Sequence, residues 1–246
     1  MKAILLVTSI FFLSLSLPAK ALTISSGFSE KESVLVYSVL SEMFKRANIE
    51  LDYQVLPNQR SLLNANNGVS DGDATRIWNI DKMYPNLIRV PVQVHSLDLV
   101  LISNKKLNFK DLSDLKNYNV GVIRGMKIAE KTVAKHSPKS VTAGTNHDQI
   151  MMMLESGRID VVVAAKIEFY LNLENSKSDT LYLHKKTILS LPLYPQLHKK
   201  NKAYIAKLRD ALQSMHDDGT YKEIQNMFLN GLESRHKDKV KVTIYD

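Results

Sequence analysis

Apolar residues recur along this chain at helical and at alternating spacing by turns, with capping and turn-forming residues between them. Residues 22–25 read as a short strand, and Ser26-Gly27-Phe28 as a turn. Ser29 and Glu32 then have the spacing of a capping box. Leu35, Val36, Val39, Leu40, Met43, Phe44 and Ala47 follow as one helical stripe. Ile49, Leu51, Tyr53 and Val55 alternate with polar residues and predict a second strand. Pro57-Asn58 turns into a helix opening near Arg60. Residues 90–103 form an apolar, β-rich run headed by Pro91. A short helical piece over 112–118, a strand over 119–123 and a helix through Val133 come next. A second capping box, Asn146 to Gln149, opens a methionine-rich helix ending at Ser156; its methionines are expected as core filler. Strands are predicted over 159–164, 181–183 and 188–193. Tyr204, Leu208, Leu212 and Met215 line a helix that Gly219 ends. Another capping box restarts a helix at Thr220, and 240–244 alternates as an edge strand with no assigned partner.

Two stretches share one grammar. Arg60 stands eight residues before Gly68, and Asp71 follows three later; Gln149, Gly157 and Asp160 repeat that spacing about 90 residues on. Each glycine suits the left-handed conformation of a helix C-terminus. The separation is too long for a solenoid repeat. Strands alternating with helices in both halves predict an α/β fold of two lobes, each a mostly parallel sheet flanked by helices. Ligands of such sheets sit at the carboxyl ends of the strands, so a cleft between the lobes is expected.

The first 21 residues read as a secretory leader. Lys2 is its basic end, residues 4–17 are apolar, and Ala19-Lys20-Ala21 has the form of a cleavage site. With no cysteine in 246 residues, thiol chemistry, disulfides and a lipid-bearing cysteine are excluded. An exported, unlipidated, monomeric protein of a bacterial periplasm is the expectation. The formal charge of +8 is spread over scattered lysine pairs, which reads as a solvated surface and not as a nucleic-acid footprint. The seven histidines form no paired metal motif, and no phosphate-binding loop or nucleophile elbow occurs. Neither a metal nor a cofactor is expected.

Three stretches together resemble the family 3 periplasmic solute-binding proteins of the polar amino acid type. They are Val120-Gly121-Val122-Ile123-Arg124-Gly125, the run ESGRIDVVV at 155–163, and Leu212 to Ile224 with Asp218-Gly219-Thr220-Tyr221. The resemblance covers essentially all of the chain after the leader. It implies the type II binding-protein fold, with lobe one from 22–91 plus 193–246, lobe two from 92–192, and hinge crossings near 91–97 and 187–193. It also implies lobes that close on a small solute, in a form read by an inner-membrane ABC permease or a sensor receptor. The chain departs from the family's amino acid clamp. No T-x-E-R motif occurs around Arg76, and Ala165 followed by Lys166 stands where the family has an ammonium-binding aspartate. Residues 60–72 and 84–91 instead resemble a divergent group with R-x-L-x-x-A-N-x-G-x-x-D-G and Y-P-N-L-x-x-V-P patterns.

Five residues are candidates for solute contact. Arg76, just past a lobe-one strand, grips a carboxylate or pairs with Asp71 or Asp73. Arg60, in the first turn of its helix, contacts an anion or is solvated. Arg124 precedes a strand-to-helix turn whose amides can cradle a carboxylate. Trp78 stacks on a ligand or packs under its loop. Phe28 falls where the resemblance implies a ligand-facing aromatic. The leading expectation is binding of a small anionic or zwitterionic solute for import, not catalysis. The alternatives are a soluble sensory subunit and, last, a dehydratase-like enzyme using a cleft carboxylate among Asp71, Asp73 and Asp98.

Overall fold

The computed structural model describes residues 21–236 and 238–246, so the expected leader falls almost entirely outside it. Strand β1 (Leu22–Ser26) leads to α1 (Glu30–Arg46), where Ser29 caps the Glu32 amide and the predicted stripe is fully buried. β2 (Leu51–Val55), α2 (Asn58–Asn66) and β3 (Gly72–Arg76) complete the first α/β layer, in the parallel order β2-β1-β3. A short β4 (Leu87–Arg89) precedes β5 (His95–Ser103). Next come β6 (Asn119–Ile123), α3 (Lys127–Ala134), β7 (Ser140–Gly144), α4 (His147–Glu155), β8 (Val161–Ala165) and α5 (Lys166–Leu171). β9 (Thr180–His184) and the long β10 (Leu189–His198) return the chain to α6 (Ile205–Asp217), α7 (Thr220–His236) and β11 (Lys241–Tyr245).

The expected two-lobed α/β architecture is present, built on one curled sheet. β8, β6 and β7 are parallel, as are β2, β1 and β3. The antiparallel strands are mostly the connectors. β5 and β10 pair with each other from Leu99/Leu189 to His95/Leu193, and β10 continues beside β3. One core lies between α1, α6 and the first sheet, and two more cover the faces of the second. Phe228 of α7 packs against the first core and one of the other two, so that helix bridges the halves.

The repeated grammar has a structural cause. Gly68 and Gly157 both take positive φ, 74° and 71°. Asp71 then accepts from the Thr23 amide while its own amide donates to the Thr23 carbonyl. Asp160 makes the same reciprocal pair with Asn119 at the head of β6. In each copy the aspartate ties the connection after a helix to the first strand of its sheet.

Several elements differ from expectation. β4 and β7 were not predicted, and β7 (SVTAG) is a polar edge strand with little apolar alternation. α5 was not predicted either, because a strand of five apolar residues runs straight into it. The methionine helix is only partly core. Met151 is buried and Met152 is 51% exposed, since three consecutive positions at 100° per residue cannot share one face. The tail strand β11 pairs in parallel with β9 of the second sheet, although the expected division grouped residues 193–246 with the first.

Candidate functional site

The carboxyl ends of β1 and β8 lie on either side of the β5 connector, and a small cavity of about 50 Å³ opens between them. Phe28 and Glu32 reach it from the β1–α1 turn, His95 and Asp98 from β5, Ala165 and Lys166 from the end of β8, and Gln225 from α7. A short three-residue link between β1 and α1 puts the first turn of α1 at the cavity wall. The phenyl ring of Phe28 meets the His95 imidazole edge-on at 5.7 Å.

The electrostatics of this cavity are unusual for so small a space. Burial pushes the Glu32 carboxyl up to about 7, and the Glu168 charge adds to that. Hydrogen bonding by Ser29 opposes the shift only in part. Burial pulls the His95 imidazole down to about 4, so it is neutral at physiological pH, and its Nδ1 is buried with no hydrogen-bond partner. Gln225 Nε2 is buried and unpartnered as well. Asp98 is held by the hydroxyls of Ser190 (2.6 Å) and Ser96 (3.1 Å), which fix its carboxylate across the two connector strands. Around the cavity, Glu168 of α5 pairs with His147 of α4 at 3.2 Å, and Lys31 of α1 pairs with Glu174 at 2.8 Å. The last of these joins the first turn of α1 to the segment after α5.

The five candidate residues do not gather at one place. Phe28 lines the cavity. Arg76 is 8% exposed and forms an ion pair with Asp73 at 2.5 Å, while Asn58 accepts from it through both its side-chain and backbone oxygens. Of the two readings of Arg76, the ion pair is therefore present. Burial pushes Asp73 up, offset by Arg76, the Ser61 hydroxyl and the Thr75 amide. Arg76 braces the start of α2 against the end of β3. Trp78 is 45% exposed; Arg89 lies over its ring at 3.3 Å and Tyr194 meets it edge-on at 4.9 Å. Arg60 and Arg124 are exposed and have no ion pair among the described residues. The amide cradle expected beside Arg124 is filled from within. Gly125 N–H donates to the Glu130 carboxylate at 2.9 Å, and Lys127 pairs with the same group, so Glu130 sits below the usual carboxylate range.

Sequence reasoning missed Glu32, His95, Lys166 and Gln225 as a group. Glu32 reads as a helix cap and His95 as one of seven scattered histidines. Only the pairing of β5 with β8 and the packing of α7 bring them together. A larger, open hollow of about 670 Å³ lies elsewhere, lined by Lys106, Phe109, Lys110, His184 and Lys186. It lies beyond the ends of β9 and β11 and touches nothing of the first sheet, whereas the small cavity is lined from the β1–α1 turn, from β5 and from the end of β8 together and is the better candidate. Among the described residues no cluster suited to a metal ion occurs.

A two-lobed α/β protein with paired connector strands and a polar cavity at the strand ends has the periplasmic-binding-protein fold. It is the fold of substrate-binding domains of amino acid ABC transporters. No protein-family model matches the chain. A curated relative, the L-glutamate/L-aspartate-binding protein of Pseudomonas aeruginosa, is 22% identical over 188 residues, covering 75% of this chain and 62% of that protein. The chain thus matches about three-fifths of that relative's length. The probable amino-acid ABC transporter extracellular-binding protein ytmK of Bacillus subtilis superposes with a TM-score of 0.73 at 15% identity, over 86% of this chain and 98% of the other. The GluR0 ligand binding core in complex with L-glutamate gives 0.68 at 13% identity, over 86% and 99%.

Proposed function

We propose that this protein binds a small amino-acid-like zwitterion in the interlobe cavity and delivers it to a membrane ABC importer. The observation that carries this is the lining of the cavity, where Glu32 and Asp98 stand with Lys166 around the ring of Phe28. The acids suit an ammonium group, the lysine a carboxylate, and the phenyl ring an apolar body. Acidic recognition here comes from α1 and β5 in place of the position held by Ala165. A volume of about 50 Å³ holds a water molecule or two, so solute entry requires the lobes to part about the β5–β10 connectors. The division into residues 22–91 with the C-terminal helices, and 92–192, is part of this proposal; β11 then straps the second lobe. Export to the periplasm as an unlipidated monomer fits the leader-like N-terminus and the absence of cysteine. Binding without turnover fits the binding proteins among its relatives.

The test is a thermal-shift screen against amino acids, short peptides and organic acids. A true ligand at one hundred times its Kd adds about 2.7 kcal/mol of stability. Lys166→Ala is expected to weaken the best hit about thirtyfold, the equivalent of roughly 2 kcal/mol for a desolvated charge that loses its partner. A silent screen refutes the proposal, and unchanged affinity in Lys166→Ala removes the lysine from the site.

A further inference from the structure

Lys106 and Lys186 stand 80 positions apart in the chain, yet both line the open hollow of about 670 Å³, and Lys110 lines it with them. None of the three ammonium groups has an ion pair among the described residues. The one acid in the lining, Asp246, meets Lys185 at 3.3 Å. Both members of that pair are exposed, so it contributes little and exchanges partners readily. Asp111 lines an adjoining hollow of about 340 Å³ that shares Phe109 and Lys186. Its carboxylate accepts from the Ser113 amide at 2.7 Å, and that of Asp114 accepts from the Lys110 amide at 2.8 Å.

Like charges on flexible stems spread apart on an open surface, but here the backbone that carries them is clamped. His184 is 4% exposed and accepts from the Lys186 amide at Nδ1 (3.1 Å), so its Nε2–H donates to the Phe109 carbonyl (3.3 Å). The rings of Phe109 and Tyr245 meet that imidazole edge-on at 5.1 Å and 5.2 Å. Leu107 and Phe109 are buried in a core of the second sheet, and the Tyr118 hydroxyl donates to the Asn108 carbonyl at 2.9 Å. The Lys106 ammonium stands over the Tyr245 ring at 5.9 Å, and the Lys185 amide donates to the Tyr245 carbonyl at 2.7 Å. One buried histidine thus ties the link after β5 to the link between β9 and β10, and lysines of both links line one space.

We propose that this hollow is a binding site for a polyanion presenting two or more phosphate groups, separate from the solute cavity. Its volume falls among those of small-molecule sites, about 300–1,000 Å³. A concave surface of one charge sign focuses its field and concentrates ions of the other sign. The lining holds three lysines and no arginine. The planar fork that suits a carboxylate is missing, and lysine's point charge matches the tetrahedral, more highly charged phosphate. Asn108 adds a side-chain donor, and Leu107 and Phe109 an apolar floor. Clamped links lower the ordering entropy that binding costs. No residue of this hollow lines the solute cavity, so the proposal stands independently of the amino-acid reading. A free polyphosphate and neighbouring phosphates on a lipid surface both supply the required chemistry.

Calorimetric titration of the protein with pyrophosphate tests this, beside citrate as a polycarboxylate. The expected result is saturable one-to-one binding of pyrophosphate, tighter than that of citrate and weakening as sodium chloride is raised. Lys110→Ala and Lys186→Ala should each weaken it about fivefold. Both lysines are exposed, so neither variant threatens the fold. Lys207→Ala, at an exposed position of α6, should leave it unchanged. Vesicles of phosphatidylcholine with phosphatidylglycerol separate the two sources. Co-sedimentation that pyrophosphate displaces assigns the site to lipid headgroups, and pyrophosphate binding without displaceable co-sedimentation assigns it to a free polyanion. Absence of saturable pyrophosphate binding overturns the proposal. Equal weakening by Lys207→Ala does so too, since it would mean diffuse attraction to a basic protein, and citrate binding as tightly as pyrophosphate overturns the phosphate assignment.

Discussion

Arg76→Ala will destabilise the protein by about 3–5 kcal/mol, whatever it does to solute binding. Removing the guanidinium strands Asp73, a carboxylate with no solvent exposure, among Ser61 and Thr75 as its remaining donors. It also leaves Asn58 without the two hydrogen bonds it accepts from Arg76. Urea unfolding of parent and variant measures this directly. In an Asp73→Asn background the same substitution should cost much less, because no buried charge is stranded. A loss below about 1 kcal/mol in the parent background would mean that the pair is not held as the structure shows it. Titration of the same variant against a screened ligand separates the other reading, since a purely solute-binding arginine would lose affinity at unchanged stability.

The second large effect is expected at Asp71. This residue is 5% exposed, accepts from the Thr23 amide (3.1 Å) and from Asn201 Nδ2 (2.9 Å), and meets Lys200 at 3.0 Å. Alanine there leaves buried donors unpaired in β1 and beside α6, at a cost of about 2–4 kcal/mol. Asp160→Ala, its counterpart in the second copy, should cost less, about 1–2 kcal/mol, because Asp160 bonds Asn119 alone and is half-buried. The pH dependence of Asp71 has a definite sign. Burial opposes its ionisation, but Asn201, Lys200 and the Thr23 amide outweigh it and hold the carboxyl below its ordinary 3.8. Its stabilisation is therefore complete above about pH 4 and is lost as pH falls through the lowered value. Equal losses at the two aspartates, or no acid sensitivity attributable to Asp71, would contradict this account.

Much of the fold was legible because its causes are local. The apolar stripe of α1 and the caps at Ser29 and Asn146 are written in consecutive residues, and the structure contains each of them. So are the glycines at 68 and 157, which end a helix only by taking positive φ. The repeated glycine–aspartate spacing was visible too, but its meaning was not. That Asp71 and Asp160 each close a reciprocal pair with the first strand of a sheet depends on which strands become neighbours. β7 and β11 escaped full placement for a related reason. A short edge strand carries little pattern of its own and is defined by the partner that accepts its hydrogen bonds.

The site shows the sharpest division. By itself the sequence determined an α/β chain of two lobes, and it singled out Phe28, which lines the cavity. The arginines it also singled out are strong anion ligands by chemistry alone, and chemistry alone cannot say whether a charge already has a partner. The tertiary structure gave Arg76 to Asp73 and filled the amide turn beside Arg124 with Glu130, two pairings set by strand ends and by a helix's own first turn. It also gathered Glu32, His95, Asp98, Lys166 and Gln225 from four separate elements around one cavity. Those residues lie up to 193 positions apart, and only the packing of α1, α5 and α7 over the connector strands shields them from water enough to shift Glu32 to about 7 and His95 to about 4.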